Sequence, residues 1–448
     1  MTRKVATALV ALALMIMAGA PAEAVASETG TGHTDLSSLP KIEAYLNSIG
    51  IDPGSVVIQQ GQLNYAGPDC PGAGWNCTTA NKVVQLAPAN LPAANVVNCS
   101  PTVSVTLLGI DECVIVQSSV ASLVETASTT NSAGCDMDAT GGDKQKQRCK
   151  ITQHSKKGNN YAYVRERTTQ RGGSAQVATQ ETEITQVSET GRNTAKVTQT
   201  IHQTLDTHQT GAVTQSQNAR QSATVNQTST SGDNSSDVGQ SQVQNESART
   251  DGSITQEQNT DSLLGRNVEA DVMQTSETGN IASSLQQRIT QNQDADTPAG
   301  DVIQTEGNLS GGLDGDVLQT TTSLTSPGVI HSTATQDEDQ TQHAETTGAL
   351  TQTKIGPEFC CAEQNGGTTA NVNTVSQSSV QTDDEALGST QNSEQTGICS
   401  QSVLGAECTV NQTYTANGET DSFSETGQTV FNNRFCNGGV EGGCFEGD

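Results

Sequence analysis

The chain has 448 residues, a formal net charge of −28 at pH 7 and only 2% aromatic residues. This length would accommodate two or three ordinary globular domains, but a core built on large aromatic side chains is excluded, and the strong acidity argues against a nucleic-acid partner. Leu, Ile, Val and Phe together make up 80 of the 448 residues. Highly charged chains in which this share is under ~20% are usually disordered. The chain is therefore either largely disordered or folded by a rule that needs few large side chains.

Residues 1–24 have the pattern of a secretory signal peptide. Two basic residues precede an apolar run from Val5 to Ala18, and a small-x-small cleavage site follows at Ala22-Glu-Ala24 or Ala24-Val-Ala26. The run is too short for a membrane anchor, and no later run is apolar enough to span a bilayer. We therefore expect a secreted protein, extracellular or at the cell surface. Cleavage removes two basic residues and one acidic residue, so the mature formal charge becomes −28 − 2 + 1 = −29.

Residues 25–54 are predicted to form a leader with one short amphipathic helix between Leu39 and Ile49, stopped by Gly50. Residues 55–149 form a cysteine-rich N-terminal block with short β-branched runs between Gly, Pro and Asn, which is typical of strands. These runs are Val56–Ile58, Val83–Val84, Val96–Val97 and Val114–Val116. The single tryptophan, Trp75, is expected to pack over the start of the fold rather than to stack on a ligand.

The cysteines indicate disulfides at both ends of the chain. An even number of cysteines in an exported chain usually pairs, while the absence of a Cys-x-x-Cys motif and of interleaved histidines argues against a metal site. Each block of six allows 15 pairings, and pairing between sequence neighbours is our working hypothesis. The two blocks are Cys70, Cys77, Cys99, Cys113, Cys135 and Cys149, and then Cys360, Cys361, Cys399, Cys408, Cys436 and Cys444.

Residues 150–359 form a Gln/Thr-rich repeat region, and the pattern continues through the cysteine-rich C-terminal block of residues 360–448. Of 43 glutamines, 38 lie at or after Gln145, commonly 12 or 13 residues apart with Gly, Asn, Asp or Ser between them. This period predicts alternating strands and turns. An aliphatic residue stands two places before a glutamine at Ile151-Gln153, Ile184-Gln186, Val197-Gln199, Val213-Gln215, Val225-Gln227, Val238-Gln240, Ile254-Gln256, Val272-Gln274, Ile289-Gln291, Val302-Gln304, Val317-Gln319, Leu350-Gln352, Val375-Gln377 and Val410-Gln412.

The aliphatic-x-Gln motif has a simple explanation in a stacked fold. In a strand, Val197, Gln199, Ile201 and Gln203 point to one face and the residues between them to the other. A lone buried amide is costly, but stacked coils let each glutamine donate to one neighbour and accept from the next. We therefore predict an all-β fold, a β-solenoid or β-helix of short Gln-rich strands with disulfide-stapled ends. The alternative is a disordered Gln/Thr/Ser-rich stalk. The composition favours this stalk, but the regular placing of an aliphatic residue two positions before glutamine favours the solenoid.

The repeat resembles that of curlin subunits, which build bacterial functional amyloid on the pattern Gln-x-Gly-x-Gly-Asn-x-Ala-x3-Gln. Gly279-Asn280-Ile-Ala282-Ser-Ser-Leu-Gln286 matches the second half of that pattern, and Asn193-Thr-Ala195-Lys-Val-Thr-Gln199 matches from the Asn onward. The resemblance covers about residues 150–430 and implies a β-solenoid that can assemble into fibres. The segment from Asn64 to Cys77 is similar to a lead-in of secreted actinobacterial proteins of unassigned activity.

No enzyme, nucleotide or cofactor signature occurs in the sequence. His202, His208, His331 and His343 are predicted to lie at solvent-facing strand or turn positions. Residues 144–171 hold nine of the 21 basic residues against one acid, Glu166, and this patch could hold an anionic wall polymer.

These observations predict a secreted, non-enzymatic structural or adhesive surface protein without cofactor, catalytic or metal site. Its expected partners are cell-wall polymers or the protein itself, associated head to tail through the basic residues 144–171 and an acidic C-terminal surface. Such a head-to-tail contact would build fibres. The alternatives are a polysaccharide-binding or polysaccharide-active β-helix protein, which would need a groove of charged and aromatic residues, and an ice- or mineral-binding solenoid, which would need regular outward Thr-x-Thr rows.

Overall fold

The structure is a computed structural model that describes residues 39–88, 92–99, 110–120, 127–140, 144–259, 267–307, 312–323, 327–366, 368, 370–383, 390–401, 407–417 and 423–434. The predicted signal peptide and residues 25–38 of the predicted leader lie outside these residues. The chain divides into two compact units, residues 1–53 and 54–448, and each is described by itself.

The described part of the first unit is one helix, α1 (Leu39–Ser48). Ile42 and Leu46, one turn apart on one face, are its buried residues. The helix ends where Gly50 takes a positive φ of 78°, and the Ile51 amide closes the turn on the Leu46 carbonyl at 2.9 Å. The predicted helix is confirmed. A 3-10 turn at Pro53–Ser55 follows.

The second unit contains two β-sheets in which every strand pair is parallel. Sheet A has 13 strands: β1 (Val57–Gln60), β4 (Lys82–Pro88), β6 (Ile110–Val120), β8 (Lys144–Ser155), β10 (Ala175–Ser188), β12 (Val213–Ser229), β14 (Ile254–Gln258), β15 (Val268–Ser276), β17 (Val302–Glu306), β18 (Leu313–Thr321), β20 (Leu350–Asn365), β22 (Thr390–Gln401) and β24 (Phe423–Arg434). Sheet B has 11: β2 (Leu63–Ala66), β3 (Asn76–Thr78), β5 (Ala93–Cys99), β7 (Thr129–Thr140), β9 (Asn160–Arg171), β11 (Asn193–His208), β13 (Asn234–Arg249), β16 (Ile281–Asp296), β19 (Ile330–Glu345), β21 (Val372–Asp383) and β23 (Glu407–Asn417).

The chain alternates between the sheets, so that each coil contributes a stretch to each of them. Ile151 pairs with Ile184 in the next coil, and Ile184 pairs with Val225 in the one after. This is a two-sheet β-solenoid, and the predicted all-β fold is confirmed. In two coils the sheet A stretch is divided, into β14 with β15 and into β17 with β18.

The coil is much longer than the spacing of the glutamines suggested. Paired residues are 33 positions apart from Ile151 to Ile184 and 41 apart from Ile184 to Val225. The strands β10 to β13 have 14, 16, 17 and 16 residues, so they are not short. Gln215 and Gln227 lie on one strand, whereas Gln227 and Gln240 lie on opposite sheets. The 12-residue period therefore mixes positions along a strand with positions across a turn, and a strand–turn unit of that length is a wrong prediction.

The sheets run without a break through the predicted domain boundaries. Residues 149 and 150 lie inside β8, and residues 359 and 360 lie inside β20. The four predicted runs of the N-terminal block lie in or overlap β1, β4, β5 and β6. Residues 144–171 lie inside the stack, because β8 pairs with β6 and β10, and β9 pairs with β7 and β11. The basic region has no open backbone edge through which chains could join.

The interior holds a thin apolar layer made of facing aliphatic columns. In sheet A the column runs through Ile151, Ile184, Val225, Val272 and Val317. In sheet B it runs through Val164, Val197, Val238, Leu285 and Ala334. All ten side chains are buried in one cluster. Because each coil adds only two such residues to the layer, the fold needs few large side chains.

The turns that join sheet A to sheet B stack glycine on glycine. A Cβ on Gly232 would lie 1.9 Å from the carbonyl oxygen of Gly191, and one on Gly279 would lie 2.0 Å from that of Gly232. No side chain fits at that distance from backbone, so the stacked turns require glycine there. The prediction of turns at Gly and Asn residues between the glutamines is thus confirmed at Gly191–Asn193, Gly232–Asn234 and Gly279–Asn280, while two further such residues, Gly265 and Asn308, lie outside the described residues.

Candidate functional site

The predicted glutamine ladders are present, and they run in one direction. Each Nε2 group donates to the Oε1 atom of the glutamine one coil earlier. The sheet A ladder has donor–acceptor distances of 2.7 Å from Gln186 to Gln153, 2.7 Å from Gln227 to Gln186, 2.6 Å from Gln274 to Gln227, 2.9 Å from Gln319 to Gln274 and 3.2 Å from Gln364 to Gln319. A continuous amide ladder therefore crosses six coils.

The second N–H of each amide ties the two sheets together. Gln186 donates to the backbone oxygen of Thr194 at 2.9 Å, and Gln227 donates to that of Ser235 at 2.9 Å. In both cases the acceptor stands eight residues later, across the turn on sheet B. Sequence reasoning missed this bond, and the separation is not fixed, because Gln319 donates to the backbone oxygen of His331 twelve residues later. Each amide thus stabilises both the coil-to-coil stack and the contact between sheets.

The motif identified the inward glutamines correctly. Thirteen of the fourteen motif glutamines are buried, and the side chain of the fourteenth, Gln412, lies outside the description. Val197, Gln199, Ile201 and Gln203 are each at most 1% exposed, whereas His202 between them is exposed. His208 and His331 are also exposed and His343 is half-buried, in agreement with their predicted positions.

Two ladders in sheet B end on buried glutamates. The first, from Gln377 through Gln336, Gln287 and Gln240 to Gln199, ends where Gln199 donates to Glu166 at 2.7 Å. The second ends where Gln293 donates to Glu246 at 2.9 Å. Burial raises the pKa of both Glu166 and Glu246 to about 8, although these hydrogen bonds lower the pKa in part. Each ladder therefore ends on a carboxyl group that is protonated at neutral pH.

A third interior carboxyl group stands beside a buried lysine. Glu306 and Lys354 are both 0% exposed and occupy paired positions in successive coils. Burial raises the pKa of Glu306 well above its usual value, and the charge of Lys354 offsets this only in part. The Lys354 Nζ atom donates to the backbone oxygen of Thr382 at 2.6 Å.

The sequence pattern also places Glu166 and Glu246 in the interior, although a motif defined on glutamine alone does not include them. Val164-Arg-Glu166 has the aliphatic-x-Gln form with Glu in place of Gln, and Glu246 continues the alternation of Gln242 and Gln244. An acidic residue in an inward phase should have been assigned to the interior.

Cysteines fill the interior of the first coils. Cys70 and Cys77, with Cα atoms 6.0 Å apart, form the disulfide expected between sequence neighbours. Cys113 lies within bonding distance of both Cys99 and Cys135. One sulfur can join only one disulfide, so the third member of this trio is a thiol, as is the buried Cys149.

The same three sulfur atoms lie within 4.8 Å of one another and are buried, so their reduced form has the donor set that a soft metal ion prefers.

In the second block of cysteines, Cys360 is buried, and the side chains of the other five lie outside the described residues. The expected staple is therefore shown at the N-terminal end.

A groove lies on the outer face of sheet B above this cysteine cluster. Its volume is about 530 Å³, and its lining includes one acidic residue, Asp136, together with Asn98, Ser132, Gly134, Tyr163, Arg165, Lys196 and Thr198. Gly134 pairs with Asn98 on one side and with Arg165 on the other. The missing side chain at Gly134 leaves a depression between larger neighbours. We call these eight residues the outer groove.

The basic residues within 144–171 have different partners on sheet A and on sheet B. On sheet A, Arg148 pairs with Glu181 at 2.6 Å and Lys150 with Glu183 at 2.5 Å. On sheet B, Arg165 and Arg167 are exposed, and no carboxylate of the described residues pairs with either. Lys196 contacts Asp237 at 2.9 Å, with both side chains at least half exposed. Arg165 in the outer groove and Arg167 beside it are thus two exposed arginines of sheet B that form no salt bridge with a described carboxylate.

No protein-family model, curated protein or solved structure matches this chain. The class of protein rests on the fold itself, a parallel two-sheet β-solenoid with internal amide ladders. Among the described residues, no helix has the length and apolar character needed to cross a membrane.

Proposed function

We propose that the protein is a secreted, non-enzymatic structural or adhesive component of the cell surface. The observation that carries this proposal is the unbroken sheet A ladder from Gln153 to Gln364. Every step of that ladder ties one coil to the next and sheet A to sheet B. Such a scaffold holds its outer rows of side chains in a fixed register, which suits display and attachment.

Two further observations support this function. The Cys70–Cys77 disulfide fits an oxidising compartment outside the cytoplasm, in line with the signal peptide predicted for residues 1–24. The outward positions of β11 and β13 present Thr, Ser and Asp side chains, which are polar groups suited to attachment. The absence of the regular Thr-x-Thr rows that an ice-binding solenoid needs makes that alternative weaker.

Location is tested in the producing cells. Fractions of medium, cell wall and cytoplasm are probed with an antibody against the solenoid, and the mature N-terminus is sequenced. We expect surface or medium fractions and a chain that begins just after residue 24 or 26. Full-length protein confined to the cytoplasm would contradict the proposal.

Head-to-tail assembly extends this proposal through the ends of the stack. Among the described residues, β1 and β3 at one end and β23 and β24 at the other each pair with a single strand, and a single-sided strand invites pairing with another chain. Such a contact is heterologous and builds filaments instead of closed dimers. Light scattering over a concentration series tests it, because a monodisperse monomer at every concentration would leave an adhesive protein that does not assemble.

A further inference from the structure

We propose that the outer groove binds an anionic glycan, a saccharide chain bearing carboxylate or sulfate groups. This inference rests on the adhesive part of the proposed function and gives it a ligand class. Three independent features meet there: a depression in an otherwise continuous sheet face, an exposed aromatic ring and arginines that form no salt bridge with a described carboxylate.

The aromatic ring is not explained by packing. No aromatic residue occurs between Tyr163 and Phe359, so the solenoid folds without them over most of its coils. Tyr163 is 41% exposed and borders the depression at Gly134. An exposed ring of this kind offers an apolar face to the C–H face of a sugar and a hydroxyl group to its polar edge.

The cationic side chains supply selectivity for acidic sugars. Arg165 and Arg167 are two positions apart on β9, so both project outward on the same face, roughly 7 Å apart. A guanidinium group binds a carboxylate or sulfate through two parallel hydrogen bonds. Neither arginine forms a salt bridge with a described carboxylate, although Asp136 stands opposite Arg167 in register. Arg171 on the same strand, by contrast, pairs with Asp138 at 3.2 Å.

The remaining groove residues suit sugar hydroxyl groups. The Asn98 amide, the Ser132 hydroxyl and the Thr198 hydroxyl lie around the same depression and can donate and accept hydrogen bonds. Binding sites for small polar ligands combine a few such groups with an apolar surface. Because the protein carries a net charge of −28, an anionic chain is repelled elsewhere and is attracted only locally.

The test compares galacturonate oligomers with their methyl esters, which have the same backbone without the charge, by titration calorimetry on the mature protein. We expect the acid form to bind at least about tenfold more tightly than the ester, a difference of about 1.4 kcal/mol. Sulfated dextran, as a second probe, shows whether sulfate replaces carboxylate. Equal affinity for acid and ester, or no binding by the wild-type protein, would overturn the proposal.

Matched variants locate the site. Arg165→Gln with Arg167→Gln should weaken binding of the acid form about tenfold or more, while Arg171→Gln should change it less than about twofold. Gly134→Val should fill the depression and abolish binding. The fold should accept the new side chain, because a Cβ there has only the Asn98 side chain within 3.4 Å. Gly239→Val adds the same side chain in the same outward column, where the nearest atom is 4.0 Å away, and should leave binding unchanged.

Unchanged binding by the double arginine variant would refute the site. Circular dichroism and thermal unfolding confirm that each variant is folded. The localisation experiment does not depend on any glycan, so a surface protein that fails to bind galacturonate would disprove this inference alone.

Discussion

The central coils and the first coils of the solenoid fill the same narrow interior in different ways. From β10 to β20 the interior contains aliphatic columns and long glutamine ladders, whereas in the first coils three buried cysteines lie together and the glutamine ladder is short, from Gln117 through Gln85 to Gln59. Glu166 lies at the border, since it accepts from Gln199 in the following coil and pairs in register with Cys135 in the preceding one. An amide ladder needs a matching partner in every coil. The ladder through Gln199 ends on the protonated Glu166 because the matching residue of the preceding coil is Cys135, and the ladder through Gln293 ends on Glu246 because the matching residue there is Leu205.

The largest expected effect concerns that border. The pKa of Glu166 is about 8 in the folded protein against an ordinary value of 4.5. Below pH 4.5 both states hold the proton, and the group contributes nothing to pH dependence. Between 4.5 and 8 only the unfolded chain loses its proton, so the free energy of unfolding falls by about 1.4 kcal/mol per pH unit. Above pH 8 the loss is complete.

Glu166→Gln should therefore raise the free energy of unfolding by about 4 kcal/mol at pH 9 and by less than about 1 kcal/mol at pH 4. Denaturant unfolding at the two pH values measures this difference. The control is Glu189→Gln, which makes the same substitution at an exposed position. A destabilised Glu166→Gln protein at pH 9 would mean that the carboxylate form is the one that the fold requires.

The next largest effect breaks the stacking of the central turns. Gly232→Ala places a methyl group 1.9 Å from the Gly191 carbonyl oxygen, so backbone must move in two coils. We expect a loss of about 3 kcal/mol or more. Gly239→Ala, on an open outward position, should cost no more than about 1 kcal/mol. Equal melting temperatures for both variants would show that the turns adapt.

A smaller effect is expected within the ladder itself. Gln227→Ala removes the donor to Gln186 and the acceptor of Gln274, leaving two buried groups unsatisfied at a cost of about 1–3 kcal/mol. Thr228→Ala, on the exposed face of the same strand, should cost less than about 0.5 kcal/mol. Similar losses for both variants would mean that the ladder contributes little to stability.

The sequence was sufficient to predict the faces of the strands but not the length of the coil. Alternation is a local property, so the inward phase of Val197 and Gln199 follows from their neighbours alone. The coil length depends on which strand lies above which, and the 33- and 41-residue steps have no local signature. The outer groove could not be predicted either, because Gly134, Tyr163 and Lys196 come from three successive coils and meet only through register.

The smallest expected effect concerns the cysteines of the first coils. Reduction should loosen the coils around Cys99, Cys113 and Cys135 and leave the ladder region unchanged, because a disulfide stabilises mainly the loop that it closes and the amide ladders contain no sulfur. Hydrogen exchange should accelerate in β5 to β7 on reduction and stay constant in β11 to β13.

Mass spectrometry of non-reduced peptides gives the matching chemical result. We expect Cys113 to be joined to Cys99 or to Cys135, and no bridge from the first block of cysteines to the second. The substitution Cys113→Ser removes the shared partner, so it should make exchange in β5 to β7 insensitive to reductant, whereas Cys149→Ser should not. If reduction accelerated exchange equally in β11 to β13, the two regions would unfold as one cooperative unit, and the interior of the first coils would determine the stability of the ladders as well.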